Sequence, residues 1–235
     1  MASIKDDRGF NQGFEEVPST VIRFERRADK MISEMEIAPD KTVLEIGCGT
    51  GRVAHFIAEK TGMNILGTDL CEPFVEEANR NYANDKLRFE VLDFNNPVQV
   101  AGRKFDYIVG NGILHHLYYN LDQVLATMRD LLNTNGKIIF WEPNLYNPYI
   151  YFIFSYESLR NKANLEPDEM AFTNSFIAKK LEAVNYRNVK VEFRDFLLPG
   201  IPEFLVKPSI AVGDIIERVP LANRVSQSLF IVAQK

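Results

Sequence analysis

Cysteine is scarce in this chain: two in 235 residues, Cys48 and Cys71, with no CxxC pair and no Cys/His cluster at metal-ligand spacing. That excludes a disulfide-stapled framework and a structural zinc site as expectations. No metal is expected, and a reducing, cytoplasmic address is. Long apolar runs are missing too. None approaches the roughly 18 residues that cross a bilayer, and the opening MASIKDDRGF lacks the apolar core of a secretory signal. Positive charge does not dominate: 27 Lys and Arg against 32 Asp and Glu give a formal net charge of −5. Without a dense basic run nucleic acid is not an expected partner. Arg23, Arg26 and Arg27 form one small basic group, which reads as a solvated helix face. There are no internal repeats and no low-complexity tract.

What is present is the profile of a globular protein, 46% hydrophobic and 25% charged. The length suits one domain with a large core and a small appendage. Residues 1–18 are polar and read as poorly ordered. A helix is expected over STVIRFERRADKMISEM, with a Ser/Thr cap and Pro39 as its stop. Strands and helices then alternate. KTVLEI, NILGTDL, KLRFEVLDF, KFDYIVG and GKIIFWEP read as strands. GRVAHFIAEKTG, EPFVEEANRNYA and LDQVLATMRDLLN read as helices, the first closed by Gly62 and the second carrying Pro73 in its first turn. Such alternation predicts a parallel sheet covered on both faces, with every strand's C-terminal end on one rim where ligands bind. A further helix from Asn174 or Ser175 and strands NVKVEFRDFLL and SLFIVAQK follow. An insertion of thirty-odd residues with four prolines begins at Pro199, too apolar for disorder and long enough to be functional.

VLEIGCGTG, residues 43–51, leaves the first strand through three glycines at alternate positions. Glycines 47, 49 and 51 permit a tight turn and let a ligand approach bare main chain; the helix that follows points its first N–H groups into the same space. Dinucleotides and S-adenosylmethionine both use such turns. GTGRVA fits the dinucleotide fingerprint, with Asp69 twenty residues after Gly49, so the turn alone leaves both open. Glu45 separates them, because a carboxylate suits an amino group and repels a pyrophosphate. Asp69 can accept ribose hydroxyls from either. Asp93 offers a carboxylate to an exocyclic amine, beside Phe94, which can stack on a base. Cys48 reads as a small packed residue.

The set VLEIGCGTG, GTDL, LDF, FDYIVGNGILHHL and GKIIFWEPN resembles the class I S-adenosylmethionine-dependent methyltransferases of type 11 or 12, over residues 41–144 in order and spacing. The resemblance implies an α/β, Rossmann-like seven-stranded mixed sheet, mostly parallel, with an antiparallel last strand, SLFIVAQK, inserted between strands five and six. It implies an enzyme whose cofactor is S-adenosyl-L-methionine and whose product is S-adenosyl-L-homocysteine. Glu45, Gly47, Cys48, Gly49 and Gly51 would surround the methionine end, Asp69 and Leu70 the ribose and adenine, Asp93 and Phe94 the adenine, and Asn111 would lie beneath the sulfonium. Residues 1–40 form an extension and helix before a domain over 41–235, with acceptor-covering segments at about 144–175 and 197–227.

A methyl sulfonium is already activated, so alignment and water exclusion are the main tasks. A base is needed only if the acceptor must lose a proton. His115 and His116 are the candidates, after Asn111 in the loop leaving the fourth strand; Glu142 is a weaker candidate for an acceptor-side contact. The resemblance implies a small-molecule acceptor; the aromatic run YNPYIYFIFSY and the late insertion suggest that it has a sizeable apolar part, with a peripheral membrane contact around Pro199–Val212. A cofactor-binding protein without turnover and a nicotinamide oxidoreductase are the other readings.

Overall fold

The computed structural model describes residues 17–94, 102–163, 165, 166, 168–198 and 200–235. The polar stretch before residue 17, expected to be poorly ordered, and Pro199 lie outside the described residues. Seven strands form one sheet in the order β3-β2-β1-β4-β5-β7-β6. They are β1 (Thr42–Ile46), β2 (Asn64–Asp69), β3 (Leu87–Val91), β4 (Phe105–Asn111), β5 (Leu132–Pro143), β6 (Arg187–Arg194) and β7 (Ser228–Gln234). The first five run parallel, and β7 lies antiparallel between β5 and β6. The Rossmann-like mixed sheet and its inserted strand are therefore as the sequence implies.

Strand periodicity sorts the core into two layers. Successive side chains point to opposite faces, so Ile138 and Phe140 of β5 join Leu229 and Ile231 of β7 in one layer. Ile139 and Trp141 join Phe230 and Val232 in the other. The first layer is closed by α4 (Leu121–Leu131) and α7 (Asn174–Ala183), through residues such as Leu125, Met128 and Leu181. The second is closed by α1 (Pro18–Ile32), α2 (Arg52–Thr61) and α3 (Glu72–Tyr82), through Met31, Ile57 and Val75. Each fully buried side chain of this size contributes on the order of 2 kcal/mol, so both faces need their helices.

Several boundaries move. α1 starts at Pro18 with no side-chain cap at Val17, and Ser19 and Thr20 lie inside its first turn. Proline at this position lacks only an N–H that would be unpaired anyway. The helix ends at Ile32, well before Pro39. The loop after β4 is a 3₁₀ helix, Leu114–Asn120. Sequence periodicity did not place α5 (Pro148–Ser155), α6 (Glu157–Lys162) or α8 (Glu203–Ile216). α5 is apolar nearly all round, α6 is one short turn, and α8 carries Pro208 inside it, so no clean helical pattern marks them.

The order 3-2-1-4-5 reverses direction between β1 and β4, which opens a crevice at their C-terminal ends. In that register Glu45 pairs with Val109, so the glycine turn leaving β1 and Asn111 at the end of β4 face each other across it.

Candidate functional site

A cleft of about 630 Å³ lies over this rim. Gly47, Gly49, Asp69, Leu70, Asp93, Phe94, Asn111, His116 and Glu142 all line it. A smaller adjoining recess of about 80 Å³ takes in Glu45, Cys48 and Arg52, and shares Phe24, Gly47, Gly49 and Asn111 with the cleft.

The three glycines of the turn all have positive φ, 66°, 52° and 81°, which a side chain would strain. Their surroundings differ. A Cβ on Gly47 would strike Ile113 and one on Gly51 the Phe89 ring, both at 2.7 Å, whereas a Cβ on Gly49 would meet nothing within 4 Å. Gly47 and Gly51 are bare for packing; Gly49 faces open space. Asp69 latches the turn to β2. Its Oδ2 accepts the Gly49 N–H at 2.8 Å and its Oδ1 the Cys71 N–H at 2.9 Å.

Glu45 is 1% exposed, and its Oε2 is the one buried side-chain oxygen or nitrogen among the described residues without a hydrogen-bond partner. Burial pushes its pKa well up, opposed by the Ala54 N–H and reinforced by Asp69. A buried carboxylate without its cation is costly, and an ammonium group beside it would meet that need. The residues present thus fit S-adenosylmethionine: an orphaned acceptor for its amino group and a glycine the ligand can lie against. Cys48 is buried, and burial, Glu45 and Asp69 push its thiol pKa well up, so it is inert filling.

The two histidines separate. His115 is 8% exposed and its Nδ1 lies 2.8 Å from Glu142 Oε2. Glu142 also accepts the N–H groups of Ile113, Leu114 and His115 at 3.0, 2.7 and 3.2 Å. Both its oxygens are therefore committed to the start of the 3₁₀ helix, where unpaired N–H groups attract an anion. His116 lines the cleft. Its Nδ1 lies 3.3 Å from Glu169 and 3.5 Å from Glu166. Burial lowers its pKa, but Glu166 and Glu169 outweigh that and raise it. Arg160 holds these two acids in place by donating to the main-chain carbonyls of Glu166 at 2.7 Å and Glu169 at 3.0 Å.

The basic group on α1 is not a solvated face. Arg26 is exposed, paired with Asp214, but Arg27 is 7% exposed and both Arg23 and Arg27 line the cleft. They share Asp195, at 2.7 Å from Arg23 Nε and 2.6 Å from Arg27 Nη2. Arg27 also donates to Asn111 Oδ1 at 2.6 Å and Ser228 Oγ at 2.5 Å, and lies over the Trp141 ring. Helical spacing of 23 and 27 puts both on one face, a signal the sequence carried; their partner, 172 and 168 residues further on, was not visible in it.

Residues 44–138 match the family model described as a methyltransferase domain. Over those residues, which run from β1 into β5, the chain resembles the S-adenosylmethionine-dependent methyltransferases, and it shares their fold. An uncharacterized protein of Haemophilus influenzae is 25% identical over 145 residues, 59% of this chain and 57% of that protein. The S-adenosyl-L-methionine-dependent Diels-Alderase iccD of Talaromyces variabilis is 27% identical over 122 residues, 50% of this chain and 41% of that one. The chain thus aligns with about half the length of these relatives. The crystal structure of a SAM-dependent methyltransferase from Archaeoglobus fulgidus superposes with a TM-score of 0.65 at 18% identity, covering 92% of this chain and 94% of that one.

Proposed function

We propose that the protein transfers the methyl group of S-adenosylmethionine to a small-molecule acceptor with a sizeable apolar part. The observation that carries this reading is the orphaned Glu45 oxygen beside a glycine cradle, opening onto a cleft far larger than the recess itself. Glu45 would hold the amino group, Gly47, Cys48, Gly49 and Gly51 the methionine end, Asp69 the ribose, Leu70, Asp93 and Phe94 the adenine. Asn111, oriented by Arg27, would lie beneath the sulfonium. When bound, the cofactor supplies an activated methyl; the chain's task is to align the acceptor and keep water out.

The remaining cleft wall supports an acceptor site roofed by α1, by the segment over 144–175 and by that over 197–227. Phe24, Asn147, Tyr149, Ile150, Leu198 and Gln227 reach it from those three places. Tyr149 and Leu198 are 64% and 50% exposed, an apolar lip suited to a hydrophobic body. With Phe204 and Leu205 of α8 also exposed, that lip would let a lipid-like acceptor enter from a membrane surface. No helix of the described residues is long and apolar enough to cross one.

His116 is the base in this reading, held by Glu166 and Glu169; His115 and Glu142 hold the turn that carries it. Calorimetry with S-adenosylhomocysteine tests the cofactor half: binding in the micromolar range is expected, and none at millimolar concentration overturns the reading. Tritiated-methyl transfer to a panel of apolar phenols and acids tests the rest. His116→Ala should lower turnover by about a hundredfold with homocysteine-product affinity unchanged. A protein that binds the cofactor but methylates none of the panel would favour the non-catalytic reading.

A further inference from the structure

Two guanidinium groups share one carboxylate at the cleft wall. Asp195 Oδ2 takes Arg23 Nε, Arg27 Nε and Arg27 Nη2, and its Oδ1 takes the Leu197 N–H. The acid is fully engaged and the pair keeps an excess positive charge. Of the neighbouring acids, Glu142 favours the charged Arg27 through space, but each gives its hydrogen bonds to other partners. Glu217 is turned to Arg194 and the Asp195 N–H, and Glu142 to the 3₁₀ helix. Arg27 spends its remaining bonds on Asn111 and Ser228. Among the described residues Arg23 donates otherwise only from Nη2 to Gln227, which leaves its Nη1 hydrogens without a partner there, on a side chain that lines the cleft.

We propose that Arg23, backed by Arg27, binds a carboxylate or phosphate carried by the methyl acceptor. This rests on the methyltransferase reading and narrows the substrate to an anionic amphiphile. Its charged group lies against Arg23 and Gln227, and its apolar body against Ile150 and Leu198. The cofactor's own carboxylate does not fill this place. The recess beside Glu45 is lined by Arg52 and the start of α2, where first-turn N–H groups attract anions, and neither Arg23 nor Arg27 lines it. The electrostatics agree. Burial and the repulsion of Arg23 bring Arg27 down to about 10 despite Asp195, as in a site short of one negative charge.

The test is calorimetry on the full chain saturated with S-adenosylhomocysteine, titrated with decanoate and with decanol. Decanoate should bind at least about tenfold more tightly, as one charge-assisted bidentate contact implies. Arg23→Met should remove that preference while leaving decanol and S-adenosylhomocysteine unchanged; Arg23→Lys should restore part of it. Equal binding of decanoate and decanol to the wild type, or no decanoate binding at millimolar concentration, overturns the proposal. So does a loss of S-adenosylhomocysteine affinity in Arg23→Met, which would give the anion to the cofactor. Failure of the cofactor to bind the wild type would instead sink the underlying reading. The wild-type comparison stands even if Arg23→Met does not fold.

Discussion

At the scale of single residues, the three glycines of the turn look alike in sequence and differ in consequence. Gly51→Ala drives a methyl into the Phe89 ring and Ala78 at a φ of 81°. It should destabilise the protein by about 1–3 kcal/mol, read as a lowered urea midpoint. Gly49→Ala meets no neighbour, so its stability cost should be about 1 kcal/mol from backbone strain alone. The methyl would stand where the cofactor is proposed to lie, and S-adenosylhomocysteine affinity should drop much further than stability does. The spacing of these glycines was legible because a turn onto bare main chain has one inexpensive residue. Which glycine faces open space was not, since that depends on Phe89 and Ile113, tens of residues away.

At the scale of elements, the HH pair shows how a helix end divides labour. Glu142 caps the 3₁₀ segment with three main-chain N–H groups and His115. Glu142→Gln keeps the shape but replaces charge-assisted bonds with neutral ones and turns a donor toward an N–H. A loss of about 2 kcal/mol is expected, measured by chemical denaturation. His115→Ala should lose part of the same stability with little direct effect on methyl transfer. His116 behaves otherwise. Its raised pKa means that the basic form dominates only above the ordinary histidine value near 6.5. The methyl-transfer rate should therefore climb with pH through that range, and flatten in His116→Ala. β1, β2, β4, α2, α3 and α4 were legible because their patterns match the period of the element. α5 was not, because an apolar segment without a polar face carries no helical period; α8 was not, because Pro208 inside it reads as a helix breaker.

At the scale of the whole molecule, Asp195 joins pieces far apart in the chain: α1 through Arg23 and Arg27, and the entry to β7 through Gln227, whose N–H its carbonyl accepts. Its own backbone is left-handed, φ 71°, a strain of about 1 kcal/mol that surrounding bonds must hold. Burial alone would raise its pKa, but the two arginines bring it down to about 2 from 3.8. The stability this confers is fully present above about pH 4 and is lost as pH falls toward 2, roughly 2 kcal/mol in all. Urea midpoints between pH 6 and pH 2 should show that fall, and Arg23→Met, which removes one cation, should shrink it. Such a hub is invisible to local pattern, because sequence separation hides which acid a basic pair will meet.

The placement of β7 carries a last consequence. Residues 228–234 wedge into a gap whose walls, β5 and β6, are laid down earlier in the chain. Until that wedge arrives, β5 presents an open edge with Ile138, Ile139, Phe140 and Trp141 on its two sides, a ready template for a foreign strand. The late-arriving piece also brings Ser228 and Gln227 to the arginines. The nascent chain is thus at its most adhesive just before β7 reaches its place.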